Sequence, residues 1–177
     1  MDAITLLREQ LTEAHNFLEA VMHDVTPEAA HWTPPGQANP LGATYAHLIL
    51  FEDRTINGVL LHRKPLYETA WLGKTGISDL TPSFGEEGHD YAAWTRRMRV
   101  DLPVLRQYAQ AVYANSDGYL ASLSPEDLDG SLDLRGVGGG IVTLGHALSR
   151  RIVAHVDNIS GEISCLKGLQ GLQGYPF

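Results

Sequence analysis

The chain has 177 residues, 44% of them hydrophobic, enough for one ordinary domain with a substantial core, and this excludes wholesale disorder. Its formal net charge of -8 excludes the basic footprint of a duplex-binding protein, because phosphate neutralisation supplies most of that affinity. A single cysteine, Cys165, allows no intrachain disulfide and fits a reducing, cytoplasmic setting. The first residues, MDAITLLREQL, mix acids with apolar residues and lack the basic-then-apolar order of a signal peptide. No stretch approaches the roughly 18 apolar residues of a membrane span, so neither a nucleic acid nor a membrane is expected as partner.

In chain order, Ile4, Leu7, Leu11, Ala14, Leu18 and Val21 recur at helical steps and form one apolar stripe. Thr26-Pro27-Glu28 reads as a helix cap followed by proline at the first helical position. Thr33 to Pro40, with its prolines and glycine, is an extended loop. A second helix is predicted from about Ala43 to Leu61, ended by His62-Arg63-Lys64-Pro65 with cations near its C-terminus. Residues 73–90 are rich in Gly, Ser, Thr and Pro and read as a long loop.

A third helical region spans Tyr91 to Leu123, with Trp94, Met98, Leu102, Leu105, Ala109, Val112 and Leu120 inward. A kink or break is expected at Pro103, which lacks an amide hydrogen and clashes with the preceding turn. Ser124-Pro125-Glu126-Asp127 is a capped short turn, and Arg135 to Gly140 a flexible loop that does not match a phosphate-binding glycine motif. The fourth helix starts near a Thr143 cap and ends at Lys167-Gly168. No run alternates with period two. These segments predict an all-α fold, a four-helix bundle in which residues 1–177 form one domain.

The fourth helix carries Leu148, Ile152, His155, Ile159, Ile163 and Leu166 on one seam, so His155 is expected to point at the core. In the second helix His47 lines up with Ala43, Leu50, Arg54, Asn57 and Leu61, a mixed face. A buried imidazole needs partners for both ring nitrogens. A divalent metal with an acceptor behind it is one solution; hydrogen bonds to neighbours or water are the other.

The remaining histidines are weaker candidates. His146 falls on the face opposite His155, His15 beside the first stripe, and His23, His31, His62 and His89 near helix ends or in loops; all are expected at the surface. Glu162 shares the His155 face but lies two turns away. Glu52 and Asp53 point in different directions and read as a solvated face. Gly-x-Ser-x-Gly, His-Glu-x-x-His and Cys-x-x-Cys are absent from the sequence. Cys165, in the last turn of a helix where partial negative charge disfavours a thiolate, is not read as a nucleophile. Trp32, Trp71 and Trp94 read as core or loop anchors.

Thr44-Tyr-Ala-His47-Leu, Tyr119-Leu-Ala-Ser-Leu-Ser-Pro-Glu-Asp-Leu128, His155-Val-Asp-Asn-Ile-Ser-Gly161-Glu-Ile163 and the tail Leu166-Lys-Gly-Leu-Gln-Gly together resemble the DinB-like family over nearly the full length. That resemblance implies a four-helix bundle, a homodimer, and a zinc or nickel ion held by three histidines. One comes from helix two and two from helix four in a His-x-x-x-His spacing. His47 matches the first position and His155 the second, whereas Ile159 stands at the third.

The resemblance also implies thiol-dependent transferase or isomerase chemistry, in which the metal would activate a thiolate. The expected site is a metal or small-molecule pocket between helices two and four, with Ile159, Asn158, Leu50 and Arg54 lining it. Asn158, one turn from His155, could offer a carbonyl oxygen. Ile159 removes a basic ligand, so metal binding is expected to be weak or absent. The alternative is a non-catalytic binding or interaction protein whose metal site has decayed.

Overall fold

The computed structural model describes residues 1–80 and 91–177. His89 and the second half of the predicted 73–90 loop lie outside the described residues. The described chain is mostly helical. Helix α1 (Ala3–Met22) is capped by Asp2, which accepts from the Thr5 amide at 2.8 Å, and it buries the whole predicted stripe. Thr26 accepts from the Ala29 amide at 3.2 Å and opens the short α2 (Pro27–His31).

Helix α3 (Leu41–Asp53) forms the first part of the predicted second helix and is apolar nearly all round, with Leu41 to Ala46 and Leu48 to Leu50 buried. Such a helix belongs at the centre. It packs against α2, against α4 (Tyr91–Arg97), against α5 (Leu102–Ala121) and against α7 (Ala154–Leu169). Past Asp53 it widens into a π-helical segment, Arg54–Leu60, where the Leu61 amide reaches back to the Ile56 carbonyl at 3.0 Å.

The break predicted at Pro103 falls just upstream. Helix α4 ends at Arg97, and α5 starts afresh under Asp101, which accepts from the Val104 amide at 3.3 Å. Pro103 thereby sits in a first turn, where its missing amide hydrogen costs nothing.

Two strands are an addition to the sequence-based expectation. β1 (Ser131–Asp133) pairs antiparallel with β2 (Ile141–Thr143), Leu132 opposite Val142. At three residues each they are too short to display an alternation. The glycine-rich stretch between them is a hairpin loop rather than an open linker: it holds a 3-10 turn, Arg135–Val137, and Gly138 takes a left-handed φ of 76°.

Thr143 caps the last helical rod, accepting from the His146 amide at 3.2 Å. The rod runs as α6 (Leu144–Ala147), a second π-helical segment (Leu148–Val153) and α7, ending at Leu169.

Helix α1 packs on α5 and α7, and α3 packs on the same two helices. Between them lies one contiguous core that includes Leu18, Tyr45, Ile49, Leu105, Tyr108, Val112, Val156 and Ile163. Among the described residues no helix is long and apolar enough to cross a membrane.

The predicted solvated face of Glu52 and Asp53 is corrected, since the two are 1% and 0% exposed. Asp53 accepts from Asn57 Nδ2 at 2.6 Å, Tyr108 Oη at 2.6 Å, and the Leu66 and Tyr67 amides at 3.0 and 3.1 Å. A buried carboxylate with this many donors is held by its environment, and here it ties the chain after α3 to α5. The α3 helix has no solvated face to offer, which is why the earlier expectation fails.

Candidate functional site

His47 on α3 and His155 on α7 meet where these helices pack, their ring centroids 5.6 Å apart and nearly perpendicular at 85°. Both are half-buried. Phe51, one turn after His47, lies edge-on to His155 at 4.5 Å. Tyr91 of α4 closes the other side at 5.4 Å from His47.

Next to these rings is a cavity of about 150 Å³ lined by His47, Phe51, Arg54, Thr55, Val59, Val137 and Arg151. Helix α3 supplies His47 and Phe51 to its walls, and the two π-helical segments supply Arg54, Thr55 and Val59 on one side and Arg151 on the other. A π-turn inserts a residue into the helical repeat and redirects the side chains after it, a device frequent at functional sites. The hairpin loop forms the remaining wall: Arg151 Nη2 donates to the Val137 carbonyl at 3.2 Å. Gly139 permits that approach, because a Cβ there would come within 2.7 Å of Leu134 and 3.1 Å of Arg151.

The imidazoles of this corner are shifted toward the neutral form. Burial, and then the neighbouring His155, push the His47 pKa from 6.5 down to about 4. Burial also lowers His155; Glu52 pulls it up and Arg151 pushes it further down. The Arg151 guanidinium lies 5.5 Å from the Phe51 ring centre, a cation–π contact. Two buried atoms here, Arg151 Nε and His155 Nδ1, have no hydrogen-bond partner among the described residues. Buried polar atoms are rarely left so.

Of the pocket residues expected from sequence, Arg54 lines this cavity. Leu50 is in the core, Ile159 is 8% exposed and packed in the same core, and Asn158 is exposed; none of these three lines it. Arg151, Phe51 and Val137 were not anticipated. A zinc site takes at least three protein donors. Here two imidazoles meet and the third position offers the Ile159 side chain, and among the described residues no cluster of three or more His, Cys, Asp or Glu side chains could hold a metal. The residues present therefore do not fit the three-histidine ion that the family resemblance implies.

A second polar centre was missed. His15, expected at the surface, is 7% exposed. Its Nε2 lies 2.9 Å from Glu52 Oε2, while Glu52 Oε1 accepts from Ser116 Oγ at 2.6 Å. The imidazole stacks on Tyr113, ring centres 3.7 Å apart. Tyr113 and Tyr45 both donate to Glu19 Oε1, at 2.8 and 2.7 Å. The signal was present: His15 is four residues after Leu11 and three before Leu18, inside an apolar stripe of ordinary width. His31 also departs from the surface expectation. It is half-buried and joins the Pro27 carbonyl, 2.7 Å from Nδ1, to the Val100 amide, which donates to Nε2 at 3.0 Å.

Comparison with known proteins agrees with this architecture. A conserved protein from Enterococcus faecalis, known from a crystal structure, superposes with a TM-score of 0.74 over 95% of this chain and 99% of its own, at 22% identity. At that identity the likeness is one of fold. No curated protein matches the chain. The family description of the DinB superfamily matches residues 10–156, most of the chain, and the chain belongs to that superfamily.

Proposed function

We propose that the chain is a single four-helix-bundle domain of DinB-like topology that binds a small organic anion between α3 and α7. The observation that carries this reading is the Arg151 guanidinium, which lines the cavity and whose Nε has no hydrogen-bond partner among the described residues. A guanidinium is a donor only, and its complement is a carboxylate or thiolate. The rest of the lining, Phe51, Val59 and Val137, suits a short hydrocarbon. A cavity of about 150 Å³ admits a ligand of roughly benzene size.

Thiol-dependent transfer or isomerisation is the chemistry that the family resemblance brings to this site. In this chain the Arg151 guanidinium takes over the stabilisation of the anion, since an adjacent arginine favours a thiolate electrostatically. A second reading, a binding protein without catalysis, is favoured by Ile159 at the position of a metal ligand. Isothermal titration with 3-mercaptopropionate and with neutral 3-mercaptopropanol tests the common premise. Saturable binding of the anion and none of the alcohol is expected, and equal binding of the two would overturn the anion site. Turnover of an added electrophile by the anion-loaded protein would then separate the two readings.

A further inference from the structure

The second polar centre opens onto a cavity of its own. Between α1 and α5 lies a space of about 290 Å³ whose lining includes His15, Asn16, Glu19, Gln110, Tyr113 and Asp117. It is separate from the His47 cavity and shares no lining residue with it.

The protons in this network have defined places. Glu52 accepts from Ser116 through one oxygen and faces His15 Nε2 with the other. A carboxylate is acceptor only, so in the neutral ring Nε2 carries the proton and Nδ1 carries the lone pair. No described residue hydrogen-bonds to His15 Nδ1. The His15 side chain is 8% exposed, and it lines the cavity.

Glu19 repeats the pattern. Both phenols donate to its Oε1, and no described donor reaches its Oε2. The hydroxyls of Tyr45 and Tyr113 stay protonated, since burial first, together with Glu19, raises both well above the ordinary phenol range. They remain donors to Glu19. At the mouth Arg8 is engaged by Asp117 through two bonds, Nε to Oδ1 at 2.7 Å and Nη2 to Oδ2 at 2.9 Å. That pair is neutral as a unit. The carboxylates that remain are Glu19 and, behind the imidazole, Glu52, with the Arg106 guanidinium near enough to act on Tyr45.

With the His15 ring neutral, the cavity presents two acceptors without donors, one of them on a side chain more than nine-tenths buried. Their complement is a donor-rich cation. We propose that the α1–α5 cavity binds a small organic ammonium ion, which donates to His15 Nδ1 and Glu19 Oε2.

The test is a titration of the 15N-labelled full chain with n-butylammonium chloride, reading the ring nitrogens of His15. Sodium butyrate and n-butanol serve as the anionic and neutral counterparts. Saturable displacement of the Nδ1 resonance by butylammonium, with neither counterpart matching it, is the expected result. Glu19→Gln keeps an acceptor for both phenols and removes the charge; it should weaken binding about tenfold, the scale of one charge-assisted hydrogen bond. Butanol or butyrate binding as well as butylammonium overturns the proposal. So does the absence of a saturable shift in the unmodified protein, whatever the variant does, and so does a folded Glu19→Gln protein that binds with unchanged affinity.

Discussion

The two histidine centres of this chain are built in opposite ways. Behind His15 stands a buried carboxylate, itself fixed by Ser116, so the ring is held in one tautomer and one orientation. Around His47 and His155 the immediate neighbours are aromatic rings and guanidiniums, and burial keeps the imidazoles neutral. One centre is satisfied from within and presents leftover acceptors. The other leaves Arg151 Nε and His155 Nδ1 buried without a partner among the described residues. Both surround α3: Glu52 lies five residues after His47 and also raises His155 from a distance. The difference shows that a histidine on an apolar helix face says little until the group behind it is known.

Removing that group should have the largest effect. Glu52→Ala leaves the His15 and Ser116 polar atoms buried without their acceptor, and a loss of about 3 to 5 kcal/mol is expected in urea unfolding. A loss below about 1 kcal/mol would mean that the network adds little to stability.

At the other centre the expected effect is on the pH dependence. The folded-state pKa of His47 is depressed, from 6.5 to about 4, so between these values the unfolded chain binds more protons than the folded one. Stability from this group is therefore complete above pH 6.5 and falls as pH drops toward about 4, by about 3 kcal/mol in all. His155 shifts in the same direction and steepens the fall. His47→Phe should flatten that limb of the stability curve, measured by denaturant midpoint against pH; an unchanged slope would mean that His47 is not kept neutral by burial.

Ile159→His should raise zinc affinity more than about tenfold by supplying a third imidazole beside His47 and His155. Isothermal titration reads it directly, and no gain would show that the position does not converge on the other two rings. The smallest effect is expected at the mouth of the second cavity. Arg8 and Asp117 are 42% and 46% exposed, so Asp117→Asn should cost under about 1 kcal/mol in thermal unfolding.

Much of the helical architecture was legible because its signals are local. Pro103 marks the break that precedes α5, and Thr26 and Thr143 place two helix starts. The hairpin was not legible, because strands of three residues carry no periodic signal. At the site, the periodicity that puts His155 on an apolar seam could be read, and so could Arg54 on the His47 face. Arg151 could not. It reaches the cavity through a π-helical segment, which shifts the repeat away from the regular spacing on which such readings depend. Val137 arrives from the hairpin, a long-range contact with no local signature. The burial of Glu52 was concealed because two adjacent acids suggest solvent. The signal against it was the unbroken apolar surround of α3.

The anion site between α3 and α7 is tested most directly by the ring nitrogens of His155 during addition of 3-mercaptopropionate to the unmodified protein. The Nδ1 resonance should move saturably, should fail to move with 3-mercaptopropanol, and should lose most of its response in Arg151→Met. A resonance that stays in place while the anion binds elsewhere, or that moves equally with the alcohol, would contradict the account.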